Sequence, residues 1–290
     1  MFVSTWGHVI IDNIRRLWFL KSDAFSEFKD CPIVYVPWTG EPLERQKNFR
    51  RLLEILDVDV DNLRPITQPT RFDKIILPDE SFYGDKTFTA EYRETIDRLR
   101  NFAFLNRTPT PFKKIYFFYG RKQIGEERLA KYFYSKGYAI FMPENLTFDE
   151  QLNLLINCEH FAATVGSISH NSVFLRDNTE AILIPRHAES LNPFQPALNQ
   201  VHPLRAFYVD SSFSIFSVHH DFNCFIISEQ LKRFFGDKFD GYTEDDFKIF
   251  MKYMTTAAAM GRTVNQKELQ GYGAFALEFT EQLKLNADLL

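Results

Sequence analysis

The chain has 290 residues, of which 45% are hydrophobic, and a formal net charge of −4 at pH 7. This composition can fill one large or two medium cores, and the acidic balance argues against broad attraction to nucleic acid. Three cysteines without CxxC spacing indicate neither a disulfide framework nor a cysteine zinc site. Since the sequence has no secretory leader and no run of about eighteen apolar residues, we expect a soluble, cytoplasmic protein.

The first part of the chain alternates helix and strand patterns. Apolar periodicity predicts helices over residues 6–21, 42–56 and 89–105. Short apolar runs predict strands at 32–38, 66–68 and 74–77. This alternation is typical of a parallel sheet with helical crossovers. Residues 106–112 contain two prolines and no apolar pattern, which predicts a linker between two domains.

The second part repeats the alternation more clearly. Strands are predicted at 114–119, 138–142, 161–165, 181–185 and 206–209. Helices are predicted at 126–136, 148–158 and 193–200, and then at 229–235, 244–259 and 266–285. We therefore predict an α/β protein with domains over 1–108 and 109–227 and a helical segment over 228–290. In a doubly wound sheet, ligands bind beyond the carboxyl ends of the strands.

The turn after the strand at 161–165 is the first candidate site. Gly166 ends the apolar run, and polar residues follow where the first turn of a helix is predicted. Free N–H groups and hydroxyls at the positive end of a helix favour an anion. The candidate anion-binding residues of this turn are Gly166, Ser167, Ser169, His170, Asn171 and Ser172.

Two cations follow another strand end. Arg121 and Lys122 come directly after the strand at 114–119, where a diphosphate in the cleft would need positive charge. Two solvated turn residues are the alternative interpretation. Together with the turn at Gly166, this pair predicts a common anion site.

A histidine and a carboxylate lie one turn apart on the first helix. His8 and Asp12 share one helix face, so they form either a surface pair or a general base with its orienting acid. No DxD triplet is present for Mg²⁺ or Mn²⁺, and no GxGxxG or P-loop motif occurs. The run His219-His220-Asp221 fits a metal site poorly, because neighbouring strand residues point to opposite faces.

The first motif resembles a known family. The sequence WGHVIIDNIRRLW at 6–18 is similar to the WGHF...D..PRLW motif of glycosyltransferase family 61, the DUF563 group of capsule and surface polysaccharide loci. The segment PENLTFDEQ at 143–151 is similar to that family's PE.L[ST]F.EQ motif, and the resemblance covers about residues 5–186. The family's nine-residue GPHGAGLTN turn is six residues long here, so the family's histidine has no aligned partner.

The resemblance implies a GT-B architecture, with two Rossmann-like domains facing a cleft and C-terminal helices packing across them. It implies inverting, metal-independent transfer, with the acceptor in the N-terminal domain and a nucleotide-sugar donor in the second. The residues matched to the family motifs are His8, Asp12, Arg121, Glu144, Gly166 and Asn171. His8 and Asp12 are then the candidate catalytic residues, and Glu144 joins the candidate donor site.

The leading hypothesis is therefore a bacterial glycosyltransferase that builds a capsule, lipopolysaccharide or O-antigen. It would use no cofactor beyond the nucleotide sugar, and its acceptor would be an oligosaccharide or a lipid-linked glycan. A lipid-linked acceptor would bring the protein to the inner face of the membrane. A non-catalytic carbohydrate-binding or assembly subunit, and a transferase of a phosphate-containing group on the same fold, remain the alternatives.

Overall fold

The computed structural model describes residues 5–37, 46–120, 123–186, 192–213 and 223–260. The described chain starts with helix α1 (Trp6–His8), which continues into a π-helix (Val9–Asn13) and a 3-10 helix (Ile14–Lys21). A second 3-10 helix (Asp23–Phe28) precedes β1 (Ile33–Tyr35). The elements that follow in the N-terminal part are α2 (Lys47–Ile55), β2 (Leu63–Pro65) and α3 (Ala90–Leu105).

A five-stranded parallel sheet forms the centre of the fold. Its strands are β3 (Lys114–Phe117), β4 (Ala139–Phe141), β5 (His160–Thr164), β6 (Glu180–Ile184) and β7 (Arg205–Tyr208). They lie in the order β4-β3-β5-β6-β7, and Phe117 is in register with Phe141 on one side and Ala163 on the other. Because the chain reverses its direction of winding at β3, the crevice between the carboxyl ends of β3 and β5 is the topological switch point.

Helices cover both faces of this sheet. They are α4 (Glu126–Ser135), α5 (Phe148–Asn157), α6 (Phe194–Leu198), α7 (Glu229–Phe234) and α8 (Glu244–Ala259). Alternate strand residues enter two separate cores: Phe117 and Phe161 pack with the α3 and α5 side, whereas Tyr116 packs with α4 and α7. This period of two is what a parallel sheet buried on both faces requires. The predicted parallel α/β sheet is confirmed.

The N-terminal part packs on the α5 side of the sheet. Val9, Ile10 and Ile14 belong to the same continuous core as the strands β3 and β5. The hydroxyl of Tyr92 in α3 donates to the carbonyl of Ile10 at 2.9 Å, which fixes the π-helix to α3. In the described residues this part forms one small sheet, the parallel pair β1–β2. The GT-B arrangement of two Rossmann-like domains is therefore not confirmed, and the domain limits at 108 and 227 stay predictions.

Two predicted strands are wrong. Residues 66–68 and 74–77 form no strand, and Ile75 and Leu77 are 58% and 72% exposed. The apolar run at 74–77 has no strand beside it to satisfy its N–H and C=O groups, so periodicity alone misassigned it. The helices predicted at 42–56 and 89–105 are confirmed at α2 and α3. The helix predicted at 266–285 lies outside the described residues.

Among the described residues after β7, a short antiparallel pair, β8 (Ser212–Phe213) with β9 (Cys224–Phe225), precedes α7 and α8. Leu231 of α7 enters the core on the α4 side of the sheet, whereas Tyr253 of α8 packs against Phe213 and Cys224. Within the part of the chain that the structure describes, no helix is long and apolar enough to cross a bilayer.

Candidate active site

His8 and Asp12 form a close pair at the start of the chain. Nδ1 of His8 lies 2.5 Å from Oδ2 of Asp12, and Arg15 holds the other carboxylate oxygen at 3.4 Å. Since a carboxylate can only accept, Nδ1–H is the donor, and Nε2 keeps its lone pair. The His8 side chain is 54% exposed, so Nε2 is accessible to a substrate. This geometry fits a general base with an orienting acid and also fits a surface pair.

The motif around His8 packs directly on the turn at Gly166. The indole Nε1 of Trp6 donates to Oδ1 of Asn171 at 2.9 Å. A Cβ placed on Gly7 would lie 3.1 Å from Cα of Ser167 and 3.1 Å from Nδ1 of His170, so the two backbones are in close approach. The structure therefore brings together two candidates that are about 160 residues apart in the sequence.

Gly7→Ala tests this close approach. The added methyl group would also lie 2.8 Å from Oγ of Ser167, so we expect the substitution to lower the free energy of unfolding by about 1–3 kcal/mol. Gly84→Ala is the matched control, because a Cβ there meets nothing within 4 Å. Denaturant unfolding of both variants measures the difference. Equal stability of the two variants would mean that Gly7 is not needed for the contact.

The helix that follows Gly166 is short, and side-chain hydrogen bonds hold its first residues. The expected helix is a six-residue 3-10 helix (Ser169–Phe174), and all six of its residues are buried. Oγ of Ser169 accepts from the N–H of Gly166 at 2.9 Å and donates to Oε1 of Gln195 at 2.5 Å. Nε2 of Gln195 donates to Oγ of Ser172 at 2.9 Å. These hydroxyls therefore fix the shape of the turn, and their predicted role at an anion stays a prediction.

His170 does not supply a cation. Burial lowers the pKa of its imidazole to about 4, the backbone hydrogen bond with Gly7 acts against this shift, and the Arg186 charge acts in the same direction as burial. The ring is therefore neutral near pH 7, and the predicted place of His170 among the anion-binding residues stays a prediction. Asn171 is likewise engaged, since its Nδ2 donates to the carbonyl of Ile168 at 3.0 Å and its Oδ1 accepts from Trp6.

Arg186, which is not among the predicted site residues, lies at the switch point. Its guanidinium carbon is 5.4 Å from the ring centre of Tyr119, which follows β3. The same atom lies 2.7 Å from a Cβ placed on Gly166, which follows β5 and has a φ of 143°. Any side chain at position 166 would displace the guanidinium. The strand-end rule could have found Arg186, because it comes two residues after β6.

The remaining predicted site residues lie at the carboxyl edge of the sheet or outside the described residues. Arg121, Lys122 and the run His219-His220-Asp221 lie outside the described residues. Glu144 is exposed in a 3-10 helix (Pro143–Asn145) directly after β4, at the carboxyl edge of the sheet. Among the residues that the structure describes, no group of three or more His, Cys, Asp or Glu is placed to hold a metal ion.

A separate cavity of about 1160 Å³ lies between α4 and α8. Its lining includes Gly120 after β3, Arg128 and Lys131 on α4, and Lys248 and Lys252 on α8. Of the described residues, those at the switch point, Gly166 and Arg186, do not line it, and neither does His8. The cavity and the switch point are therefore two different places for a ligand.

Comparison with known proteins identifies a family. A sequence model of the family described as Glycosyltransferase 61 matches residues 6–182, which is more than half of the chain. The match starts at Trp6 and ends within β6, so it includes both the His8 motif and the turn at Gly166. A search among curated proteins found no match. The family indicates glycosyltransferase activity, with a sugar donor and an acceptor as substrates. The chain belongs to glycosyltransferase family 61.

Proposed function

We propose that this protein is an inverting, metal-independent glycosyltransferase that moves a sugar from a nucleotide-sugar donor to a growing surface polysaccharide. The observation that supports it best is that Trp6 and Gly7, which precede His8, contact the turn at Gly166, beside which the Arg186 guanidinium lies. In this proposal His8 is the base and Arg186 is the cation at the strand-end crevice. An accessible His8 suits an acceptor hydroxyl presented by a large glycan or a lipid-linked glycan.

The proposed reaction is a single in-line displacement. Nε2 of His8 takes the proton of the acceptor hydroxyl while the acceptor oxygen forms a bond to the anomeric carbon of the donor. The bond from that carbon to the diphosphate breaks, and its electron pair leaves with the nucleotide diphosphate. Arg186 stabilises the charge that develops there, with Arg121 and Lys122 as further proposed donor-binding residues.

We expect full activity in excess EDTA. In the proposed mechanism the Arg186 guanidinium neutralises the leaving diphosphate, as a divalent cation does in metal-dependent enzymes. Turnover of the purified protein is compared before and after chelation. Loss of activity that Mn²⁺ restores would contradict the metal-independent mechanism.

A donor screen tests the function itself. The protein is incubated with UDP-, GDP- and CMP-sugars and a mixture of glycan acceptors, and mass spectrometry records any acceptor that gains a sugar. Calorimetry with the same nucleotides measures binding. Binding without transfer, or no binding of any nucleotide, favours a non-catalytic carbohydrate-binding subunit. A product that gains a phosphate-containing group would identify the transferase of the third hypothesis.

A further inference from the structure

A buried carboxylate lies beneath the switch point. Glu126 is the first residue of α4 and is only 1% exposed. Its Oε1 accepts from the N–H of Tyr119 at 3.2 Å, and the hydroxyls of Tyr116 and Thr164 lie 3.4 Å away. Its Oε2 is buried and has no hydrogen-bond partner in the described part of the chain. A carboxylate held this way is costly to ionise unless a positive charge is near.

The groups that face Glu126 come from four parts of the fold. They are Tyr116 on β3, the N–H groups of Tyr119 and Gly120 after β3, Thr164 on β5, and Arg186 after β6. Burial raises the pKa of Glu126 to about 7, and the N–H donors, Thr164 and the Arg186 charge act against that rise. The N-terminal end of α4 also favours the ionised form. Both protonation states are therefore present near neutral pH.

The Arg186 guanidinium lies in the crevice and acts electrostatically on this carboxylate. Tyr119 donates its N–H to Glu126 and presents its ring to the Arg186 guanidinium. On the other side, Thr164 approaches Glu126 from β5, and Gly166 two residues later makes room for Arg186. The guanidinium therefore lies between the ends of β3 and β5, and its charge favours the ionised form of Glu126.

We propose that Glu126 is a positioning residue for the donor site: its buried carboxylate attracts the Arg186 guanidinium in the free protein and becomes protonated when a diphosphate takes that cation. This proposal rests on the proposed function. A bound diphosphate adds negative charge above Glu126, which disfavours the carboxylate and favours the neutral acid. Donor binding is then coupled to the uptake of one proton.

The coupling fixes the sign of the pH dependence. A donor that stabilises the neutral carboxyl by a factor of about ten binds about fivefold more tightly at about pH 6 than at about pH 8. Glutamine is neutral at every pH and keeps the shape and one acceptor oxygen. Glu126→Gln is therefore expected to bind the donor at about pH 8 as tightly as the wild type does at about pH 6, with a flatter pH profile.

The experiment is a double-mutant cycle with the wild type, Glu126→Gln, Arg186→Gln and the double variant. The probes are UDP-glucose, UDP-N-acetylglucosamine and GDP-mannose, whose diphosphates do not titrate in this range, and calorimetry measures their dissociation constants at both pH values. Glu126→Gln should flatten the profile only where Arg186 is present. A wild-type pH profile in Glu126→Gln, or the same effect of Glu126→Gln with and without Arg186, would overturn the proposal.

Thermal unfolding without ligand separates this proposal from the proposed function. Since the pKa of Glu126 is raised by folding, ionising it costs stability as the pH rises towards about 7, so Glu126→Gln should melt higher than the wild type at about pH 8. That gain should be smaller when Arg186 is present than when it is glutamine. If the wild type binds none of the probes, the proposed function fails. If Glu126→Gln raises the melting temperature equally with Arg186 and with Arg186→Gln, the interaction between Glu126 and Arg186 is overturned.

Discussion

Replacing His8 with alanine is expected to lower the transfer rate by about 10²–10⁴-fold, the usual contribution of a positioned general base. The imidazole is half exposed and its partner Asp12 is also held by Arg15, so the fold should be retained. Steady-state kinetics gives the rate, and thermal unfolding checks the fold. We expect a lower kcat with little change in the affinity for the donor, because His8 acts on the acceptor.

Two further variants sharpen this test. Asp12→Asn should also reduce the rate, because an amide can donate to Nδ1 and move the proton of His8 to Nε2. His160→Ala is the matched control: His160 also pairs with a carboxylate, Glu180 at 3.1 Å, but it starts β5 at the opposite edge of the sheet. Wild-type turnover in His8→Ala, or equal losses in His8→Ala and His160→Ala, would remove His8 from the mechanism.

Replacing Arg186 with glutamine is expected to cost about 10²–10³-fold in kcat/KM, the range found for a single preorganised donor at a developing charge. The guanidinium lies between Tyr119 and Gly166, where the switch point predicts the diphosphate of a donor. Both the dissociation constant of the donor and kcat should become worse, because the diphosphate is charged before the reaction and gains charge during it.

Arg205→Gln is the control for Arg186→Gln. Arg205 is an exposed arginine that pairs with Glu180 and starts β7, so it lies at the amino edge of the same sheet. It should leave donor binding unchanged. If Arg186→Gln binds and transfers like Arg205→Gln, the diphosphate lies elsewhere and the proposed donor site is wrong.

Local patterns predicted most of the central fold. The strands of the five-stranded sheet and the helices α3, α4 and α5 could be located because apolar periodicity is strong in each and because turn or cap residues mark their ends. At α5 this cap is a capping box, since Thr147 accepts from the N–H of Glu150 and Glu150 accepts from the N–H of Thr147. The strands at 66–68 and 74–77 failed, because a strand needs a neighbour and no local pattern supplies one.

The site was predictable only in part. The spacing of His8 and Asp12 on one helix face predicted their contact, and the apolar run before Gly166 predicted the strand at whose end that turn lies. The strand-end rule places Arg186 at the same edge of the sheet, but Glu126 could not be assigned in this way. The position of the Arg186 guanidinium depends on which strand ends the sheet order brings together, and the raised pKa of Glu126 depends on its burial; both are tertiary properties.

The central claim is that the nucleotide diphosphate and the His8 base share the crevice between β3 and β5. A crystal structure with a bound nucleotide sugar tests it most directly. The account predicts diphosphate oxygens within hydrogen-bond distance of the Arg186 guanidinium, with the anomeric carbon on the side of the crevice that faces Nε2 of His8. A nucleotide bound in the cavity between α4 and α8, with His8 remote from its sugar, would contradict the account.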